Sequence, residues 1–206
     1  TPIRHCESLI GATFSRAAKS CTRTPPPHFS RTTGFVGRTS AVSNDQSDLP
    51  ADFHPSAIKV ALVLMGRGVR GPFRQFDAST KTARDAANAL GVDVGAIASS
   101  LVFMADGAPF VVLKSGAFRA DVETLRTVMG ASEVRMASPE EVRAATGQAI
   151  GGVSPVGWPG TLQVLIDDSL RKFPVLYAAC GTGNAVFATH FDELVSLTGA
   201  ELVTLQ

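Results

Sequence analysis

Between residues 54 and 206 the apolar positions switch repeatedly between a helical and an alternating period, and the switches lay out the elements. After Pro55, Ile58, Ala61, Leu62 and Met65 recur at helical spacing and predict a first helix that GRGVRG (66–71) ends. PFRQFDA (72–78) reads as a short strand, and Ser79 or Thr80 as the cap of a helix through TARDAANALG, which Gly91 stops. SLVFMA (100–105) and PFVVLKS (109–115) are almost wholly apolar and flank Asp106-Gly107-Ala108, an Asp-Gly hairpin signal, so the sheet centre is expected there. DVETLRTVMG (121–130) predicts a helix and EVRMA (133–137) a strand. Ser138-Pro139-Glu140-Glu141 predicts a capped helix that ends at Gly147. TLQVLID (161–167), PVLYAAC (174–180) and NAVFAT (184–189) are three further strands; Thr189 is the expected cap of HFDELVSLTG, and ELVTL closes the chain as a strand. Hairpins mixed with helices, without regular βαβ alternation, predict an α+β fold with a mixed, strongly curved, barrel-like sheet flanked by helices.

Residues 1–52 carry a different pattern. Six basic residues (Arg4, Arg16, Lys19, Arg23, Arg31, Arg38) face the single acid Glu7 before residue 44, among many serines and threonines. Such a composition buries no core and is expected to be disordered. Its Arg- and Ser-rich, acid-poor character fits a transit peptide, which would make the protein mitochondrial or plastid, and fits equally an unstructured tail on a cytoplasmic one. DQSDLPADFHP (45–55) reads as a linker, and the folded domain is expected over residues 53–206.

Composition narrows the function classes. With 45% hydrophobic and 18% charged residues in 206, one sizeable core is expected, and no run is long and apolar enough to predict a membrane span. Three scattered cysteines and four scattered histidines offer no metal-ligand spacing, so neither metal nor cofactor is expected. Residues 54–206 hold thirteen Lys and Arg against fourteen acids, which argues against a broad nucleic-acid surface. Locally, Arg67, Arg70, Arg74, Lys81 and Arg84 are opposed only by Asp77. Two readings stand for that cluster, contact with phosphates and a solvated face.

Two glycine loops are the strongest candidates for chemistry. TGQAIGGVSPVG (146–157) is uncharged and apolar yet too rich in glycine for a regular element, and CGTGN (180–184) joins two strands of the same region, so a shared pocket rim is expected. CGTGN lacks the phosphate-loop spacing and is followed by a strand, which removes the helix N-terminus that a nucleotide site needs. Asp167 and Asp168 at a strand end could orient a water or hold an amine, or be solvated turn residues. Cys180, Ser154 and Ser99 are nucleophile candidates without a base nearby in sequence.

HPSAIKVALVLMGRGV, FDAST before TARDAANALGV, SLVFMADGAPFVVLKSG, MASPEEVRAATGQAIGGVSPVG, VLIDDSL and HFDELVSLTGA together resemble the YbaK/prolyl-tRNA synthetase-associated domain family over residues 54–206. The resemblance implies a trans-editing hydrolase of mischarged aminoacyl-tRNA, with aminoacyl-tRNA and an aminoacyl-tRNA synthetase as partners. It implies an acyl pocket formed by Gly151, Gly152, Val153, Ser154, Pro155, Gly181, Thr182 and Gly183, with Phe76 where the family has a tyrosine and Asp167 orienting amine or water. Arg67, Arg70, Arg74 and Lys81 are the residues expected to meet the tRNA. One position departs: where editing members carry a lysine, this chain has Ser99. A catalytically silent domain that holds a tRNA end or an amino acid is therefore the alternative to a deacylase.

Overall fold

A computed structural model describes residues 49, 52–77, 80 and 82–205. The expectations for residues 1–48, and those for Ser79 and Lys81, lie outside the described residues. Helix α1 (Pro55–Gly66) starts at His54, whose Nδ1 accepts from the Ser56 amide. Strand β1 (Phe73–Gln75) and helix α2 (Ala83–Leu90) lead into the hairpin β2 (Ile97–Ala105) and β3 (Ala108–Ser115), followed by α3 (Val122–Met129), β4 (Val134–Met136) and α4 (Pro139–Thr146). Strands β5 (Gln163–Asp167), β6 (Leu176–Ala179) and β7 (Ala185–Thr189), helix α5 (Phe191–Thr198) and strand β8 (Glu201–Val203) complete the α-helices and strands of the described residues, with short 3-10 turns at Val94–Ala96 and Asp168–Lys172.

All eight strands join one mixed sheet in the order β1-β7-β6-β2-β3-β5-β8, with β4 attached to β2. The α+β class and the YbaK-like fold are therefore the observed ones, but the sheet is open: the three-residue strands β1 and β8 form its two ends and share no ladder. The hairpin at its centre has the expected turn, since Ala105 pairs with Ala108 while Asp106 and Gly107 both take positive φ, the two-residue geometry that matches the strands' twist. Alternation along β2 divides the core. Ala98, Val102 and Met104 face α1 and α5 residues such as Leu64 and Leu194, whereas Phe103 and Ala105 face Leu125 of α3. Full burial of side chains such as Phe103, Leu64 and Leu125 contributes roughly 1.5–3 kcal/mol each.

Three local expectations need correction. Helix α2 is capped by Thr82, not by Thr80: its hydroxyl accepts from the Asp85 amide, while the Thr80 hydroxyl donates to Gly183 O. Thr189 does not cap α5, because its hydroxyl donates to Glu193 and the cap position is His190. Helix α1 buries Ala57, Val60, Ala61, Leu64 and Met65, one position out of phase with the expected face, since a segment apolar on nearly every side leaves the phase to tertiary packing. At the amino end, Leu49 packs into the main core although it precedes the boundary expected at residue 53.

Candidate functional site

Strand β2 has an interrupted outer edge. It pairs with β6 only at Ile97 and Ala98 and with β4 only from Phe103 to Ala105, so Ser99, Ser100 and Leu101 face a gap in the sheet. A cavity of about 270 Å³ fills that gap. Its floor is this open edge, one wall is the start of α2 with Thr82, Ala83 and Ala86, and the opposite walls are the two glycine loops.

The first glycine loop is built by a side-chain clamp. Gln148 Oε1 accepts from the Ser154 amide at 2.7 Å, its Nε2 donates to Ser154 Oγ at 2.9 Å, and the intervening residues bulge so that Ile150, Gly151 and Val153 line the cavity. Gly151 sits at φ 83°, a conformation that costs any residue with a Cβ. The second loop is held from the β1 side. Phe76 N–H donates to Asn184 O, Asn184 Nδ2 donates to Phe76 O, and the Thr80 amide and hydroxyl both donate to Gly183 O. This presents Thr182 and Gly183 to the cavity.

The two loops touch. A Cβ on Gly152 would lie 2.6 Å from the Thr182 carbonyl carbon, so the close approach that Gly152 permits is to the other loop's backbone. Gly181 serves α1 in the same way, since a Cβ there would meet Ser56 O at 2.8 Å.

The structure thus brings Ser99, Gly151, Val153, Thr182 and Gly183 to one cavity, together with Ser100 and Tyr177, which the sequence does not single out. Ser100 Oγ is buried without a hydrogen-bond partner among the described residues and can donate to whatever enters. Gly152, Ser154, Pro155 and Gly181 lie behind the walls, and Phe76 contributes its backbone. Ser154 is fully buried and its hydroxyl donates to Val156 O, while Trp158 Nε1 donates to Ser154 O; this is the chemistry of a loop brace. Cys180 is also fully buried; burial pushes its thiol up to about 12, which removes it as a nucleophile.

Asp167 is 2% exposed and does not line the cavity. Its carboxylate accepts from Ser169 Oγ and from the Leu205 amide. Beside it stands Lys114 of β3, 7% exposed, whose ammonium donates to Ser115 O at 2.6 Å and to Phe118 O. Desolvation lowers the Lys114 pKa and the neighbouring Asp167 charge opposes that shift. Asp168 is half-exposed and pairs with Arg171 at 2.7 Å. Of the basic cluster, Arg67 donates to Leu197 O, Arg70 borders a second cavity with His190 and Glu193, and Arg74 is exposed on the edge strand β1. Among the described residues no group of three His, Cys, Asp or Glu could hold a metal, and no helix is long and apolar enough to cross a membrane.

A family model for the aminoacyl-tRNA editing domain matches residues 77–197, which contain both glycine loops and the open edge of β2. The chain belongs to that family. Relatives of this editing domain include the uncharacterized protein YwhH of Bacillus subtilis, 36% identical over 121 residues that span 58% of this chain and 76% of YwhH. A proline–tRNA ligase of Nitratidesulfovibrio vulgaris is 35% identical over 82 residues, 40% of this chain and 14% of the ligase. Among solved structures, one described as a candidate trans-editing enzyme for prolyl-tRNA synthetase superposes with a TM-score of 0.71 at 41% identity, covering 75% of this chain and 98% of that one. The hypothetical protein APE2540 superposes with a TM-score of 0.67 at 29% identity, covering 71% and 98%.

Proposed function

We propose that this editing domain hydrolyses the ester of a mischarged aminoacyl-tRNA, acting in trans to an aminoacyl-tRNA synthetase. The observation that carries the reading is the cavity: about 270 Å³, walled mainly by small apolar side chains and glycine backbone, with hydroxyls from Ser99, Ser100, Thr182 and Tyr177. A small acyl side chain fits between Ala83, Ala86 and Val153, and the terminal adenosine would rest at the rim.

An aminoacyl ester is already activated, so a positioned water and donors for the oxyanion suffice without a covalent intermediate. Water attacks the carbonyl carbon, the carbonyl pair moves to oxygen, and the bond to the ribose oxygen then breaks as that oxygen takes a proton. Backbone amides of the glycine loops and the Ser99 and Ser100 hydroxyls are the donors this chain offers. Arg70 and Arg74 are the exposed cations proposed to meet the tRNA backbone.

A second reading, a silent domain that holds an acylated tRNA end or an amino acid, is favoured by one observation: among the described residues that line the cavity, none is charged and none is histidine. Incubating the full chain with alanyl-, cysteinyl-, seryl- and prolyl-tRNAs separates the two. Release of amino acid from any of them supports the hydrolase; tight binding without release supports the silent domain.

A further inference from the structure

Ser99 on the cavity floor is the direct cross-strand partner of Lys114. Directly opposed residues share a face of the sheet and bring their Cβ atoms to about 5 Å, within easy reach of a four-carbon stem. The next strand continues the row. Leu113 pairs with Ile166, so Lys114 and Asp167 follow one step on at the same level, and the two side chains interact electrostatically. A hydroxyl in the cavity, a buried ammonium and a buried carboxylate therefore stand side by side on β2, β3 and β5.

Buried lysines are rare because the ammonium must be taken out of water, and the sheet face that carries Lys114 continues along β3 and β5 into the buried Val112 and Leu165. Two carbonyls, Ser115 O and Phe118 O, hold two of its three hydrogens, which leaves one to donate. The cavity itself has no cation among its described lining residues, yet the reaction proposed for it creates a negative oxygen.

Resting on that reading, we propose that Lys114 supplies the positive charge for the cavity from the neighbouring strand, acting through Ser99: the ammonium donates to Ser99 Oγ, and the Ser99 hydroxyl donates to the ester carbonyl oxygen as it becomes an oxyanion. Ser99 is then the catalytic residue and Lys114 the positioning residue, with Asp167 fixing the ammonium from the far side. The charge remains on Lys114 throughout, and the water proton passes to the leaving ribose oxygen.

The test moves the charge across the strand pair. Lys114→Met keeps length and removes the ammonium, and Ser99→Lys in the Lys114→Met background returns a cation to the cavity floor without restoring the contacts to Ser115 O and Phe118 O. Thermal melts of the full chain establish that each variant folds, and deacylation of the four aminoacyl-tRNAs is measured together with binding of a non-hydrolysable amide-linked alanyl-adenosine. The expected result is a loss of at least about thirtyfold in kcat/KM for Lys114→Met and recovery to within about fivefold in the double variant. A purely structural lysine would not be rescued in this way. If wild type hydrolyses while Lys114→Met stays within about threefold of it, or the double variant is no better than the single, the assignment of Lys114 is overturned and the deacylase reading stands. If wild type releases no amino acid, the deacylase reading falls; the charge assignment then survives only if Lys114→Met weakens analogue binding about tenfold and the double variant restores it, and is overturned otherwise.

Discussion

Gly152 and Thr182 are packed so closely that a Cβ on the glycine would lie 2.6 Å from the threonine's carbonyl carbon. Two loops far apart in sequence are thereby locked into one wall. Gly152→Ala should force them apart and lower stability by about 1–3 kcal/mol, as overpacking does, with a loss of cavity function larger than the fraction unfolded explains. Gly160→Ala, where a Cβ meets nothing within 4 Å, is the control and should behave as wild type. Melts and deacylation assays on the two variants check this; equal behaviour would mean that the loop contact does not shape the cavity.

Cys180 should be inert in the folded protein. With a thiol at about 12 and full burial, its thiolate fraction near pH 8 is about one in ten thousand. Peptide-resolved alkylation should label it only after denaturation, and Cys180→Ala should keep kcat/KM within about threefold. A loss of several hundredfold would reinstate it as a nucleophile.

Leu49 is the first of the described residues to join the core. It is 8% exposed and joins the same cluster as Phe53 and Leu64. A chain beginning at residue 49 should melt like the full chain, whereas one beginning at residue 54 loses both Leu49 and Phe53 and should be less stable by about 3 kcal/mol or more in urea. Equal midpoints for the two would show that neither Leu49 nor Phe53 contributes.

Glu141 should make part of the stability acid-sensitive. The Arg135 guanidinium hydrogen-bonded to it, and then the Ser138 amide of the capping box, hold its carboxyl down at about 2 against an ordinary 4.5. A depressed folded value stabilises fully above the ordinary range and is lost as pH falls toward about 2. The destabilisation caused by Glu141→Gln at neutral pH should therefore shrink steadily through that window, as followed by denaturant titrations of both proteins. A difference that stays constant with pH would contradict it.

Arg67, Arg70 and Arg74 are all exposed, but Arg67 donates to Leu197 O at 2.8 Å, Arg70 only to Met65 O at 3.4 Å. Reversing Arg70 and Arg74 to glutamate should weaken tRNA retention on filters, most at low salt, and flatten its salt dependence. Unchanged retention would return the cluster to a solvated face.

Local chemistry made several elements legible in the chain alone. The Asp106-Gly107 turn, the Ser138 capping box and the glycine stops at Gly91, Gly130 and Gly147 act over a few residues, and each appears where the pattern places it. The apolar hairpin likewise announced the centre of the sheet. The cap of α2 moved because Ser, Thr and Thr stand close together at 79, 80 and 82, and tertiary contact with Gly183 claims Thr80.

Long-range pairing decided the rest. The Asp106-Gly107 turn already sets Lys114 opposite Ser99, but nothing near Ser99 in sequence says that β6 and β4 each cover part of β2 and leave its middle open, or that Asp167 of β5 stands beyond Lys114. Strand register, as between Phe73 and Phe187, and the meeting of the two glycine loops depend on packing between segments far apart in sequence. That packing is set by which faces bury together, and the one-dimensional pattern records only that such faces exist.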